Sequence, residues 1–324
     1  MKKYRIGILG LGNVGRGTYD VMTDNADLIK QRLGADYEIV RALEINPQAI
    51  ERTGIDPAKV TDNADDIIKA EDIDIVVESL GGIEPSTTWM LTAMEHGKSV
   101  VTPNKAAVAA NFQKLMATSK ENDVLFRFEA CVGGGIPCLT SILEPLSGND
   151  FLQVSGILNG TTNYILSKMY DEGLDYDVIL KDAQEKGFAE ADPTADVEGI
   201  DCANKLSILI SLCFGKYIPP MDIPRTGITG VDKAQIEAAR AAGNKIKLLS
   251  YASLDENGEV DCYVKPVELP LSHPLSGVNN EYNAIYITGN MVDDVMLYGK
   301  GAGPHPTGSA IAGDIISIMR EYNR

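Results

Sequence analysis

The chain has 324 residues, of which 44% are hydrophobic and 23% charged, with a formal net charge of −17. That length is enough for two domains with cores of their own, and the acidic balance excludes a nucleic-acid binder, which needs clustered Lys and Arg. No apolar run approaches the roughly 18 to 20 residues of a membrane helix, and the start, Met1-Lys2-Lys3-Tyr4-Arg5, runs straight into Ile6-Gly7-Ile8-Leu9 without a signal-peptide h-region or cleavage site.

Taken in order, Tyr4 to Leu9 is apolar and reads as a strand, residues 10–15 as a glycine-rich turn, and 16–33 as a helix. Residues 37–43 give a second strand, the acidic stretch 62–74 a helix, and 73–78 a third strand. A helix over 86–96 closes on Gly97; 99–102 is a fourth strand, 105–122 a helix, and 124–129 a fifth strand. Short apolar runs alternating with helices are the pattern of a parallel α/β sheet. Beyond Ala130 the texture changes. Val132-Gly133-Gly134-Gly135-Ile136-Pro137 reads as a joint, 154–158, 260–267 and 284–288 as antiparallel strands, 206–214 as a buried helix, and 307–322 as a closing helix. Five cysteines (131, 138, 202, 213, 262) are an odd set without a CxxC pair, which points to a reducing compartment, the cytoplasm by default.

Gly10-Leu11-Gly12-Asn13-Val14-Gly15 fits the dinucleotide fingerprint: a strand before it, a helix after it, and three glycines for the turn, the pyrophosphate and helix packing. A glycine-rich turn without a ligand is the bland alternative. The expected fold is therefore α/β: an NAD(P)-binding Rossmann domain over 1–130, with 305–324 packing back on it, and an α+β catalytic and dimerisation domain over 131–304. Glu44 lies near the end of the second strand, where an acidic residue favours the NAD ribose. No Lys or Arg follows in Ile45-Asn46-Pro47, and alternation turns Arg41 away. NAD is favoured on this reading, with use of both coenzymes left open.

Asp201 and Lys205 are four apart on one helix face. A solvated pair of that kind contributes about 0.3 to 0.5 kcal/mol. Against that reading, Leu206, Ile208, Leu209, Ile210 and Leu212 make the following turns almost uniformly apolar, and Glu190, Asp192 and Asp196 add acid around the lysine. A polar pocket at the mouth of a buried helix is the sharper reading.

The run Ala183-Gln-Glu-Lys-Gly-Phe-Ala-Glu-Ala-Asp-Pro-Thr-Ala-Asp-Val-Glu-Gly-Ile-Asp-Cys-Ala-Asn-Lys205 closely resembles the signature of homoserine dehydrogenases. Thr102-Pro103-Asn104-Lys105, Glu129 with 132–137, Gly156 to Tyr164, and Gly299 to Gly303 ahead of Pro306-Thr307 resemble further family segments in the same order. The resemblance spans essentially the whole chain. It implies reversible oxidation of L-homoserine to L-aspartate 4-semialdehyde with NAD or NADP. It also implies Lys205 as proton donor and acceptor, Lys105 beside the nicotinamide and substrate, and Glu190, Asp196 and Asp201 on the substrate. Gly10, Gly12, Asn13, Val14, Gly15, Lys105, Gly187 and Gly303 become cofactor contacts, and Glu129, Val132, Gly134 and Ile136 a monovalent-cation site, sodium by resemblance. For the Gly-rich segment the plain alternative is a hinge. If Lys105 and Lys205 share a desolvated site they depress each other's pKa, while Glu190 and Asp201 oppose that shift.

Cys131 has no His partner in sequence, which argues against an acylating thiol of the aspartate-semialdehyde dehydrogenase kind. A dinucleotide-sensing protein would keep the glycine loop without needing Asp201 and Lys205. Three scattered histidines offer no zinc site: His96 and His273 read as surface or loop residues, and so does His305, with ligand contact from its place beside the 301–303 turn as the lesser alternative. Members of the resembled family often carry a C-terminal ACT-type regulatory domain. The chain stops after the helix over 307–322, which leaves no room for one, and little threonine feedback by that route is expected. A homodimer formed by sheet extension is expected, as in the family.

Overall fold

Six short runs from the first 130 residues line up as one parallel sheet in the computed structural model, which describes residues 3–323. Met1 and Lys2, part of the expected leaderless start, and Arg324, part of the expected closing segment, lie outside the described residues. The strands are β1 (Lys3–Leu9), β2 (Asp36–Leu43), β3 (Val60–Thr61), β4 (Ile75–Glu78), β5 (Ser99–Val101) and β6 (Phe126–Arg127), in the order β3-β2-β1-β4-β5-β6. β3, with only two residues, is too short to show periodicity and escapes the sequence reading. The order reverses between β1 and β4, so the loops after Leu9 and Glu78 flank the switch point where α/β sheets take their ligands.

Helices α1 (Asn13–Asp24), α2 (Ala26–Leu33), α3 (Pro47–Thr53), α4 (Asp65–Ile68), α5 (Ser86–Glu95) and α6 (Lys105–Glu121) connect these strands. The single helix expected over 16–33 starts earlier, at Asn13, and breaks at Asn25, whose φ of −101° and ψ of 17° leave the helical range. The third fingerprint glycine is thus already inside α1. The helix expected across 62–74 contracts to one turn, Asp65–Ile68, which buries Ile67 and Ile68.

The closing helix, α13 by its place in the chain (Pro304–Tyr322), belongs to the same compact unit, which holds the residues up to Gly135 and those from Ala302 on. It crosses α1 with almost no space between backbones: a Cβ on Gly308 would lie 2.5 Å from the Gly17 carbonyl. Ile311, Ile315, Ile318 and Met319 join Tyr4, Ile6 and Ile8 in that unit's core.

The second unit, Ile136–Gly301, is built on an antiparallel sheet. Its strands β7 (Phe151–Ile157), β8 (Asn244–Leu254), β9 (Val260–Pro270), β10 (Tyr282–Gly289) and β11 (Asp293–Lys300) take the order β11-β10-β7-β8-β9. Helices α7 (Cys138–Leu143), α8 (Gly160–Glu172), α9 (Tyr176–Glu185), α10 (Thr194–Val197), α11 (Ile200–Phe214) and α12 (Lys233–Ala241) complete it. β8 and β11 are absent from the sequence reading. β11 is an edge strand with alternately exposed residues, and β8 carries Lys247 at its middle. That lysine is only 1% exposed, with its ammonium on Asn163 Oδ1 and the Val278 carbonyl. α11 is the apolar helix foreseen from the sequence, entered through Gly199 at φ +76°. Among the described residues no helix is long and apolar enough to cross a membrane.

Candidate active site

In the first unit the fingerprint turn has the conformation that its glycines permit. Gly10 sits at φ +94°, where an L side chain is strained, and a Cβ on Gly15 would lie 2.0 Å from the Gly10 oxygen. At Gly12 a Cβ would meet nothing within 4 Å. Its missing side chain therefore leaves room for a ligand rather than for protein. α1 begins there without a side-chain cap, so its first N–H groups, at Asn13 and Val14, are placed to receive an anion.

Glu44 stands at the end of β2 with both carboxylate oxygens occupied. Oε2 accepts from Leu11 N at 2.9 Å, and Oε1 accepts from Ile45 N and Asn46 N, each at 2.9 Å. The carboxylate is therefore fixed against the glycine turn. Arg41 is directed away, as alternation predicts, with its guanidinium on the Asp66 carbonyl and 3.5 Å from Asp72.

Lys105 opens α6 and is positioned by a buried network that the sequence did not reveal. Glu78, at the end of β4 and fully buried, accepts from Thr102 Oγ1 at 2.6 Å and from Leu80 N at 2.9 Å. Thr102 Oγ1 in turn accepts from Asn104 N at 3.0 Å, and Asn104 Oδ1 caps α6 through Ala107 N at 3.1 Å. Three residues from two strand ends thus fix the backbone from which Lys105 projects. Its charge reaches Cys131, yet burial pushes that thiol well up, and a neutral buried thiol is no nucleophile.

The glycine-rich segment is a tight turn, with Gly133 at φ +72° and Gly134 at φ +56° beside buried Val132. Glu129 is 6% exposed, and its N–H donates to Asp314 Oδ2 at 2.9 Å. Burial pushes the Asp314 carboxyl up to about 8, against the opposing effect of the Glu129 N–H bond. Ile136 begins the second unit, and its carbonyl accepts from Cys138 N at 2.8 Å. Among the described residues no group of three or more His, Cys, Asp or Glu is arranged to hold a metal, so any cation here relies on backbone oxygen. Gly303 precedes α13 at φ +119°, and His305 is an exposed residue 3.5 Å from Asp20.

In the second unit Lys205 and Asp201 form a buried pair, Nζ to Oδ2, at 2.6 Å, with side chains 8% and 7% exposed. Lys205 Nζ also donates to the Leu158 carbonyl at 2.6 Å. Asn159, next in the chain, donates its Nδ2 to Asp201 Oδ2 at 2.9 Å and to Asp196 Oδ1 at 2.7 Å. Burial first, then the neighbouring Asp201, push the Asp196 carboxyl up. Of the acidic residues expected around Lys205, the structure gathers Asp196 and Asp201. Asp192 is taken up by Thr194, at 3.1 Å to its N and 2.6 Å to its Oγ1. Glu190 is exposed on the turn after α9, where Gln184 Nε2 holds its carbonyl at 3.1 Å, and Gly187 starts that turn at φ +76°. Glu78 and Asn159 receive no role from the sequence, although Asn159 lies in the family-like run Gly156 to Tyr164. For Asn159 a signal existed, an Asn immediately before a helix start.

A family model described as homoserine dehydrogenase matches residues 137–316, and one described as its NAD-binding domain matches residues 10–129. The homoserine dehydrogenase of Bacillus subtilis is 38% identical over 320 residues, 99% of this chain and 74% of its own length. That of Mycobacterium leprae is 41% identical over 319 residues, 97% of this chain and 72% of its own. The homoserine dehydrogenase structure from Thiobacillus denitrificans is similar with a TM-score of 0.96 at 38% identity, covering 100% of this chain and 74% of that one. A hyperthermophilic archaeal homoserine dehydrogenase in complex with NADPH gives 0.82 at 26% identity, covering 99% and 98%.

Proposed function

The chain belongs to the homoserine dehydrogenase family, and on that premise we propose that Lys205 and Asp201 carry the proton chemistry of its reaction, the NAD(P)-dependent interconversion of L-homoserine and L-aspartate 4-semialdehyde. The observation that carries this reading is the buried 2.6 Å pair at the start of α11. An ammonium has three donors. Two of those on Lys205 are directed at Leu158 O and Asp201 Oδ2, which leaves a third for a substrate oxygen. In the reducing direction that N–H protonates the oxygen at substrate C4; in the oxidising direction the same nitrogen receives the hydroxyl proton. Asp201 holds the lysine in place, and Asp196 and Asp201 offer carboxylate to the substrate ammonium; Glu190, assigned there by resemblance, stands exposed on the turn after α9. When bound, the nicotinamide takes or returns the hydride at C4. Lys105, fixed by the Glu78–Thr102–Asn104 network, serves the nicotinamide end of the dinucleotide unit.

Gly10, Gly12, Asn13, Val14 and Gly15 fit a pyrophosphate through the uncapped start of α1, and Gly187 and Gly303 offer backbone without a Cβ. The fixed Glu44 carboxylate suits the ribose hydroxyls of NAD and repels a 2′-phosphate, which supports NAD as the preferred coenzyme. Glu129 with the carbonyls of Val132, Gly134 and Ile136 is a hard, weakly charged oxygen set, suited to sodium rather than a divalent ion. A homodimer through the β7–β11 sheet is supported by its face of stacked tyrosines, Tyr251 on Tyr263 at 5.0 Å and Tyr282 on Tyr298 at 5.1 Å; sedimentation velocity is the check. Cysteines without a disulfide among the described residues support the cytoplasm. The direct test of function is absorbance at 340 nm: homoserine with coenzyme should generate NAD(P)H, and no homoserine-dependent signal would refute the reading.

A further inference from the structure

The turn between β7 and α8 converges on the Asp201–Lys205 pair from outside α11. Asn159 is 5% exposed and caps α8, its Oδ1 accepting from Thr162 N at 2.8 Å and from Thr162 Oγ1 at 2.9 Å. Its Nδ2 donates one N–H to Asp196 and the other to Asp201. Every polar atom of the carboxamide is used. An inverted carboxamide would set oxygen against two carboxylates and NH2 against an N–H, so the orientation is fixed by the network.

We propose that Asn159 is a positioning residue for the dehydrogenase reaction, its one carboxamide setting the separation of Asp196 and Asp201 and, through Asp201 and the adjoining Leu158 carbonyl, the place of Lys205. This rests on the reading of Lys205 and Asp201 given above. Two carboxylates that repel each other need a donor between them to stay close and ionised. A carboxamide supplies two N–H groups from a single nitrogen and no charge, which neither Ser nor Asp can do. It is anchored at its other end by the first turn of α8, so the bridge has no rotational slack. The neighbouring Thr161 is held in the same turn, its Oγ1 donating to the Phe188 carbonyl at 2.6 Å. The titratable groups that face Asp196 and Asp201 are each other, Lys205, and the buried Cys202 thiol, which burial pushes up to about 12 and so keeps neutral.

Asn159→Asp and Asn159→Ser both retain an N-capping oxygen for α8, so they spare the helix start while altering the bridge. In Asn159→Asp a third carboxyl faces the pair, and like charge raises carboxylate pKa values. The acid limb of the kcat/KM profile for homoserine should move up by about 1 pH unit or more. In Asn159→Ser the hydroxyl is too short to bridge; kcat/KM should fall tenfold or more, mainly through KM, with the NADH dissociation constant within twofold of the unaltered chain. Wild-type kcat/KM and pH profile in both variants would overturn the proposal. A fall in NADH affinity matching the loss of activity would also overturn it, since that marks a purely structural role. Lys205→Ala measured alongside separates the two levels. If it loses turnover while the Asn159 variants do not, only the positioning role fails. If it keeps full turnover, the site reading fails and the proposal with it.

Discussion

Lys205→Ala tests the buried pair as a structural and a chemical unit together. Its partner Asp201 is 6% exposed and shares Asn159 with Asp196, so removing the ammonium strands a carboxylate beside a like charge. Breaking a buried pair from one side costs about 3 to 5 kcal/mol. In a folding unit of this size each kcal/mol is about 2 to 4 °C, so the melting temperature should fall by roughly 6 to 20 °C near pH 8. The sign with pH follows from the stranded group. Without Lys205, burial and Asp196 favour the protonated carboxyl, so the variant's folded state binds more protons than its unfolded state. Its stability then falls as pH rises, and the deficit against the unaltered chain shrinks toward pH 5. Adding Asp201→Asn should recover part of the melting temperature at pH 8 without recovering turnover. For the chemistry, kcat should drop at least 100-fold at 340 nm while NADH binding stays near normal. Melting identical to the unaltered chain at pH 8 would mean a solvated pair of the 0.3 to 0.5 kcal/mol kind. Unchanged turnover would remove Lys205 from the proton transfer.

Gly308→Ala places a methyl 2.5 Å from the Gly17 backbone, about 1 Å inside ordinary contact, and neither helix backbone can yield locally. Overpacking of this kind costs about 1 to 3 kcal/mol, so thermal melting should drop by several degrees, and an unchanged melt would refute the tight α1–α13 crossing. Fluorescence titration should show NADH bound at least tenfold more tightly than NADPH, with Glu44→Ala narrowing the gap; equal or tighter NADPH binding in the unaltered chain would refute the role of Glu44. Initial rates should be higher in sodium chloride than in tetramethylammonium chloride, and Glu129→Gln should abolish that difference. Equal rates in the unaltered chain would exclude a functional cation.

Much of the fold is legible because its signals are local. The strand, three-glycine turn and helix of residues 3–24 follow each other directly, and only glycine tolerates the φ of +94° at Gly10. Asp201 and Lys205 are likewise one helical turn apart, so their shared face is fixed by the 3.6-residue repeat. Errors fall where local pattern and burial disagree. Lys247 makes β8 look solvated at its middle, yet the side chain is buried because Asn163 and the Val278 carbonyl come to it from distant segments. Likewise the helix read as continuous over 16–33 breaks at Asn25, a residue with low helix propensity that the apolar spacing alone could not mark.

The amino-acid sequence by itself determined the dinucleotide turn and the acid and base on one helix face, since each depends on residues within a turn or two of one another, and the family resemblance, since it is carried by the order of segments along the chain. Only the tertiary structure decided which groups complete these sites. Asn159 meets Asp196 and Asp201 across separations of 37 and 42 residues, Glu44 takes the Leu11 N–H across 33, and Glu78 reaches Thr102 across 24. Such contacts leave no period in the chain. A polar side chain bonded to a distant partner has the same composition and spacing as one bonded to water, and the two differ only once the strands have been ordered and the helices packed.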